Sequence, residues 1–521
     1  MTMVRVQHPR SPSPQRAPLF RAILIANRGE IAVRLARGCR DLGIRSVAVF
    51  SDVDRASLHV LHADAAYPIG PAAPQFSYLA MERILDVARR AQVDAIHPGY
   101  GFLSENPAFA AACRDAGFVF IGPSPESMRQ LGSKTAARDI ARACGVPLVP
   151  GSTAPLTSLA VAQREAAALA ATAGYPLMLK AAAGGGGKGM RLIASAAEFA
   201  SAYSLARTEA RNAFGDDTVY LEKALLQPRH IEVQILGDQH GNLVYLGERE
   251  CSLQRRHQKI LEETPAPLLT PELRRRMGEA AVAIARAADY TSAGTVEFLV
   301  DAQQNFYFLE MNTRLQVEHP ITEMVTGLDL VEQQIRIAAG RPLALQQEQL
   351  APRGHAIECR IYAEDPTQNF MPSPGRIEHL VVPAGPGIRE DSGIYEGWTV
   401  PLEYDPLLSK LIAWGGDRPQ AIARMARALS EYHLGGIRHN LAFFRQILAR
   451  PDFQQGDFDT GYLQRVLADS SAEPGEPGWT ERVAAAAVSA ATESSRLATP
   501  ATVSDETASL WRRTGRQTGL Q

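Results

Sequence analysis

The stretch from Thr295 to Glu318 constrains this chain more than any other. Thr295-Val-Glu-Phe-Leu-Val300 and Asn305-Phe-Tyr-Phe-Leu-Glu310 alternate with period 2, and the polar residues 301–304 between them read as a turn. Two adjacent antiparallel strands are therefore expected. Glu297 and Glu310 fall near opposite strand ends on one face. With the Asn312 side-chain oxygen they offer hard oxygen ligands suited to Mg²⁺, which keeps waters and takes substrate phosphates as its other ligands. Arg314, Gln316 and Glu318 continue that face. A carboxylate so close to an arginine is either its ion-pair partner or a base held ready for a proton. A solvated charged hairpin is the bland alternative; it would tolerate Lys and Glu in any order.

The remaining composition fits an enzyme. At 521 residues the length suggests three or four domain-sized units, and 45% apolar with 21% charged residues is ordinary for a soluble globular chain. A net charge of −2 without a basic run argues against nucleic acid as a general partner. No stretch approaches ~18 consecutive apolar residues, so no membrane span is expected. Cys39, Cys113, Cys144, Cys251 and Cys359 are widely spaced, without CxxC, and read as reduced core thiols of a cytoplasmic protein. Residues 1–20, with three arginines and Ser11-Pro-Ser-Pro14, read as a disordered extension. Residues 470–521, rich in Ala, Ser, Thr, Pro and Gly, read as a low-complexity tail.

Ala22-Ile-Leu-Ile-Ala26, the turn Asn27-Arg-Gly-Glu30 and Ser46-Val-Ala-Val-Phe50 set a βαβ rhythm, which apolar runs at 93–96 and 119–121 extend into a parallel sheet. The first turn holds only Gly29 where a dinucleotide fingerprint needs three glycines, so a nicotinamide site is not expected. Gly132-Ser-Lys134 opens a helix and residues 145–151 read as a linker. A small α+β unit follows, with helices over 158–173 and 197–212 and strands at 177–181 and 219–223. Strands then dominate until helices at 271–288 and 321–339.

Lys180-Ala-Ala-Ala-Gly184-Gly-Gly-Gly187-Lys-Gly189 is a candidate phosphate lid, because consecutive glycines leave backbone N–H groups free to approach phosphate oxygens. It fails the Walker A form, with Gly189 where Ser or Thr should hold Mg²⁺, and a flexible surface loop is the alternative. Lys180 ends an apolar strand and needs an anion to compensate it. Glu222-Lys-Ala-Leu225 lies at a hinge where a purine fits between two units. Gln254-Arg-Arg-His257-Gln-Lys259 reads as one polar strand, with Gln254, Arg256 and Gln258 on one face and Arg255, His257 and Lys259 on the other: a site wall or a solvated edge. His230 alone reads as structural.

With these motifs in this order, the chain closely resembles the biotin carboxylases of the ATP-grasp superfamily. The likeness begins at Ile23-Leu-Ile-Ala-Asn-Arg-Gly-Glu30, continues through His97-Pro-Gly-Tyr-Gly-Phe-Leu-Ser-Glu105 and Glu310-Met-Asn-Thr-Arg-Leu-Gln-Val-Glu-His-Pro320, and reaches His355-Ala-Ile-Glu-Cys-Arg360 and Tyr404-Asp-Pro406. It implies an α/β chain with an ATP-grasp fold: an N-terminal Rossmann-like parallel-sheet domain over 21–133, an ATP-grasp domain over 134–350 with a mobile lid over 152–224, and a mixed C-terminal domain over 351–469. It further implies that Lys134, Lys180, Gly186, Gly187, Glu222, Lys223, Leu225, His230, Gln254, His257 and Leu299 contact ATP, and that Glu297, Glu310 and Asn312 bind Mg²⁺ or Mn²⁺. Lys259, Arg314, Gln316 and the Val317 backbone would hold bicarbonate, Glu318 would be its base, and Arg360, with Tyr100 nearby, would face biotin. Two positions depart from the family pattern: Lys188 stands where Arg is expected in the lid, and Tyr362 where Asn is expected.

The resemblance thus implies ATP-dependent carboxylation of biotin through carboxyphosphate. No Met-Lys-Met-type biotinylation sequence occurs, so biotin is expected on a separate carrier protein, with a carboxyltransferase partner, a homodimer, and acetyl-CoA carboxylase in fatty acid biosynthesis as the setting. A carboxylate–amine ligase of the same superfamily and a nucleotide-binding regulator without turnover are the alternatives.

Overall fold

The computed structural model describes residues 19–152, 154–181 and 190–470. The glycine run, with Gly186, Gly187 and Lys188, and both expected terminal segments lie outside them, save residues 19–20 and Ser470; Phe20 already joins the core. The described residues up to Leu463 form one compact unit, and those from Gln464, the end of the helix Tyr462–Ser470, fall in a second.

The first sheet is the expected parallel one. Its strands run in the order Ala65–Gly70, Arg45–Ser51, Ala22–Ile25, Ala95–His97, Val119–Phe120, all parallel. Ala22–Ile25 is central and buried on both faces, which is why it reads as an unbroken apolar run rather than an alternation. The outer strand Ala65–Gly70 was not expected; it contains Pro68, which lacks an N–H and is tolerated at an edge. Gly29, at φ +67°, turns the chain from the first strand into the helix Gly29–Asp41.

The small unit has three strands in the order Met190–Ile193, Leu177–Ala181, Val219–Lys223, backed by the helices Leu159–Ala173 and Phe199–Phe214. It keeps a core of its own around Leu177, Leu179, Phe199, Tyr203 and Leu221. The larger element is an antiparallel sheet of eight strands: Phe306–Asn312, Ser292–Val300, Arg229–Gly237, Leu243–Arg255, Gln258–Thr264, His355–Tyr362, Leu407–Gly415, Ile388–Ser392. The helix Pro271–Ala287 covers part of one face through Met277, Ala281 and Ile284.

Three local expectations change. Residues 254–259 are a tight hairpin, not one strand: Gln254 pairs with Lys259 and Arg255 with Gln258, while Arg256 and His257 turn the corner at φ +50° and +65°. Positive φ at both central residues matches the right-handed twist of the flanking strands. Residues 321–339 are two helices, His319–Thr326 and Leu330–Ala338, because Gly327 takes the left-handed conformation and Asp329 caps the second by accepting from Glu332 N. Strand pairing ends at Asn312, so Arg314, Gln316 and Glu318 lie on a loop leading into the helix at His319. The cysteines are unpaired, and all but the half-buried Cys144 are buried. Among the described residues no helix is long and apolar enough to cross a membrane.

Candidate active site

Three neighbouring strands put three acids in one row. Glu297 pairs in register with Glu232 on one side and with Glu310 on the other, so all three project from the same face of the sheet. From the next hairpin Lys259 reaches over this row. Its Nζ donates to Glu232, to Glu297 Oε1 at 2.8 Å and to Glu318 Oε1 at 2.9 Å, so one ammonium spends its three N–H groups on three buried carboxylates. Behind Glu232 the fully buried Arg249 donates to Glu232 at 2.5 Å, Gln234 at 2.7 Å, Thr322 at 3.0 Å and Thr295 at 3.1 Å. Burying this guanidinium is tolerable because its donors are so thoroughly matched.

Glu318 precedes the helix at His319 and faces two cations. Arg360 Nη2 donates to its Oε2 at 2.9 Å while Lys259 holds Oε1. Burial disfavours its charge, yet Lys259, Arg360 and Arg249 outweigh burial and hold the carboxyl well below the usual range. Glu297 is likewise held low, with Lys259 and His230 overcoming burial. Glu310 moves the other way: burial and the Glu297 charge push it up.

Arg314 is fixed from three directions. It donates to Glu105 of the N-terminal region at 2.8 Å, to Gln316 Oε1 at 2.7 Å and to Asn312 Oδ1 at 3.0 Å. Asn312 Nδ2 and Gln316 Nε2 donate in turn to Glu297 Oε1, at 2.8 and 3.0 Å. The Val317 carbonyl accepts from the buried Lys410 at 2.8 Å. Glu297, Glu310 and Asn312 suit a divalent cation: the mutual repulsion that raises Glu310 is what such an ion would relieve, and the donors are hard oxygens.

The remaining expected residues are distributed around this centre. His230 Nε2 lies 2.9 Å from Glu297 Oε2, and its Nδ1 meets Gln254 Nε2 at 2.7 Å, so it belongs to the site and is not merely structural. Leu299, half-buried, pairs across the sheet with His230. In the small unit Lys180 and Arg138 both bind Glu222, Lys223 Nζ donates to the Gly174 carbonyl at 3.2 Å, and Leu225 is half-buried just beyond. Lys134 begins the helix Lys134–Ala143 and is exposed; His257 sits exposed at its hairpin turn. Tyr100 donates to Glu30, and the Lys410 ammonium stands 5.8 Å from the centre of its ring. Tyr362 is buried and accepts from Gln258 Nε2 at 3.0 Å.

Sequence reasoning missed Glu105, Glu232, Arg249 and Lys410. A signal for Glu232 exists: His230, Glu232 and Gln234 alternate with the apolar Ile231, Val233 and Ile235 along one strand. Glu105 and Lys410 carry no local signal, because they arrive from other parts of the chain.

Three family models match the chain in succession: the biotin carboxylase N-terminal domain over residues 19–128, the carbamoyl-phosphate synthase L chain ATP-binding domain over 133–346, and the biotin carboxylase C-terminal domain over 358–465. A biotin carboxylase from a Nostoc species is 52% identical over 447 residues, covering 86% of this chain and 99% of the relative. The mouse mitochondrial methylcrotonoyl-CoA carboxylase subunit alpha is 50% identical over 448 residues, 86% of this chain and 62% of that longer protein. Among solved structures, a Campylobacter jejuni biotin carboxylase complex matches with a TM-score of 0.81 at 46% identity, covering 86% of this chain and 99% of that one. The biotin carboxylase domain dimer of the Hydrogenobacter thermophilus 2-oxoglutarate carboxylase, in complex with magnesium ADP and bicarbonate, matches with a TM-score of 0.80 at 46% identity over 86% of this chain and 97% of that one.

Proposed function

The chain belongs to the biotin carboxylase family, and from that premise we propose how its own residues divide the reaction. It is an ATP-dependent ligase with the ATP-grasp fold that uses ATP and Mg²⁺. Bicarbonate is a poor nucleophile until deprotonated. Arg314 and Lys259 hold the anion, and Glu318 takes its proton. While Lys259 and Arg360 are bound to it, Glu318 is a weak base. When Lys259 turns to the anion, its charge is withdrawn and the carboxylate becomes more basic; protonation of Glu318 then frees Arg360 for biotin.

The deprotonated oxygen attacks the γ-phosphorus of ATP to give carboxyphosphate and ADP. Glu297, Glu310 and Asn312 hold the divalent cation, which neutralises charge on the transferring phosphoryl group. The protein's share of that step is positioning: Lys134, Lys180, His230 and Gln254 align the nucleotide, with Glu222, Lys223 and Leu225 beside the base. Carboxyphosphate then gives CO₂ and phosphate, the phosphate takes the biotin N1 proton, and Arg360 stabilises the ureido oxyanion, a contact worth about 3 kcal/mol. N1 attacks CO₂ and carboxybiotin leaves.

The single observation that carries this reading is the Lys259 ammonium bound at once to Glu318, Glu297 and Glu232. It joins the base to the cation-binding carboxylate Glu297 through the group that receives the anion. The test is ADP release from purified protein with ATP, Mg²⁺ and labelled bicarbonate, with and without free biotin. Biotin-stimulated release with label in carboxybiotin is expected; label capture by an amine, or no turnover, would overturn it.

The domain limits expected from sequence, a biotinylated carrier protein, a homodimer and a cytoplasmic setting belong to the same proposal. They are supported by the spans of the family models, the Hydrogenobacter domain dimer and the unpaired cysteines. Acetyl-CoA as final acceptor is its finest part. Relatives also carry the names of methylcrotonoyl-CoA and pyruvate carboxylase subunits. Reconstitution with separate carrier and carboxyltransferase pairs for each acceptor decides it: malonyl-CoA formation supports acetyl-CoA, and turnover with another pair alone refutes it.

A further inference from the structure

Arg360 is shared. The nitrogen that donates to Glu318 Oε2 at 2.9 Å also lies 2.8 Å from Glu262 Oε1, at ion-pair distance but outside hydrogen-bond alignment. Glu262 stands in register with Glu358 on the neighbouring antiparallel strand, and Glu358 is two residues before Arg360. Glu262, Glu358 and Arg360 therefore share one face of the sheet. Both acids are fully buried, and none of their four carboxylate oxygens has a hydrogen-bond partner among the described residues. Two unsolvated carboxylates side by side do not both stay charged.

The groups facing the pair are few. Arg360, Glu318 and Lys259 bear on Glu262; Lys410, Arg360 and Glu318 bear on Glu358; the Cys251, Cys359 and Tyr362 side chains lie beside them. Lys410 is committed elsewhere, to the Val317 carbonyl and to Glu30 at 3.1 Å. Among the described residues, Arg360 is thus the cation at ion-pair distance from Glu262.

We propose that Glu262 is a positioning residue of biotin carboxylation: Glu358 carries the pair's single proton, Glu262 carries its charge, and Glu262 retains the Arg360 guanidinium when Glu318 becomes protonated by bicarbonate. The inference rests on the assignment of Glu318 as base and Arg360 as oxyanion partner. No proton need leave the buried pair during turnover. The bicarbonate proton goes to Glu318, Arg360 loses one of two anionic partners, and Glu262 keeps the freed guanidinium near the face where biotin reacts. Consistent with one shared proton, burial and Glu318 push Glu262 up to about 7 against the pull of Arg360 and Lys259, and burial, with Glu262 beside it, likewise pushes Glu358 well above the usual carboxyl range against the pull of Lys410.

The test compares two rates in the full-length enzyme with Glu262→Gln, Glu262→Asp and Glu358→Gln. Glu262→Gln should keep bicarbonate-dependent ATP cleavage without biotin within about threefold, while carboxybiotin formation falls by something like tenfold, the scale of one misplaced donor contact. In wild type the carboxylation rate should rise with pH through about 7 as Glu262 ionises. That limb should vanish in Glu262→Gln and return, displaced, in Glu262→Asp. Glu358→Gln keeps a neutral group at the proton's place and should leave the limb where it is, with both rates above pH 8 near wild type; a limb moved in that variant would show Glu358 charged and overturn the assignment. Equal loss of both rates in folded Glu262→Gln, or an unaltered pH limb, would overturn the proposal. If Glu262→Gln does not fold, the limb in Glu262→Asp decides, and an undisplaced limb refutes the proposal. Loss of all carboxylation in wild type would instead strike the underlying function.

Discussion

Glu297 and Glu310 stand opposite each other in register across the hairpin, two acids side by side on one face of the strands. Glu310→Gln removes the charge that Glu297 repels and that a divalent cation uses. The Mg²⁺ concentration for half-maximal ATP cleavage should rise by about tenfold or more, with the melting temperature unchanged or higher. An unchanged Mg²⁺ dependence would make Glu310 a structural acid.

Glu318→Gln keeps the shape of the base but not its proton acceptor. Biotin-dependent ADP release should fall by at least about a hundredfold while nucleotide affinity, followed by calorimetry, stays within about threefold. Turnover near the wild-type rate would remove Glu318 from the role of base.

Arg360→Ala should split the two half-steps. Slow ATP cleavage with bicarbonate persists because carboxyphosphate still forms and decomposes, whereas carboxybiotin formation falls by roughly a hundredfold, the scale of a lost oxyanion donor. A parallel fall in both would move Arg360 into the bicarbonate site.

The chemistry was more legible than the geometry that assembles it. The hairpin carrying Glu297 and Glu310 announced itself through alternation, and the parallel sheet through apolar runs at strand spacing. The turn at Arg256-His257 was illegible because its left-handed residues are neither Gly nor Asn, the usual markers, so a hairpin read as a strand. What brings Arg360 and Lys259 to one carboxylate is the pairing of strands far apart in sequence, such as Leu261 with Cys359, which local pattern does not encode. Glu232 shows in the alternation of its strand, whereas Arg249, one charge in the run Glu248-Arg-Glu250, has no pattern of its own until its buried partner Glu232 is seen.

Acid should weaken the N-terminal region through two buried imidazoles. Burial holds His59 down to about 4 and His97 down to about 3, from 6.5. The folded state keeps both neutral, whereas the unfolded chain binds protons below 6.5. Stability therefore falls as pH drops from 6.5 toward 4 and 3, by about 2 kcal/mol for each histidine at pH 5. His97 Nδ1 accepts from Gly99 N at 3.1 Å, a bond the Asn oxygen can replace. Urea unfolding of wild type and His97→Asn at pH 7 and pH 5 should show a smaller acid loss in the variant. An identical loss in both would refute the assignment.

The eight-stranded sheet crosses a border that sequence comparison draws. Gln258–Thr264 lies in the region matching the ATP-binding model and His355–Tyr362 largely in the C-terminal one, yet the two strands are hydrogen-bonded neighbours in register from Leu261 and Cys359 to Thr264 and Ala356. A chain cut between 346 and 355 would leave each fragment with a raw strand edge inviting aggregation. The base and the lysine would remain on one fragment and Arg360 on the other, so only co-expressed fragments that zip this seam could regain the complete set of reacting groups.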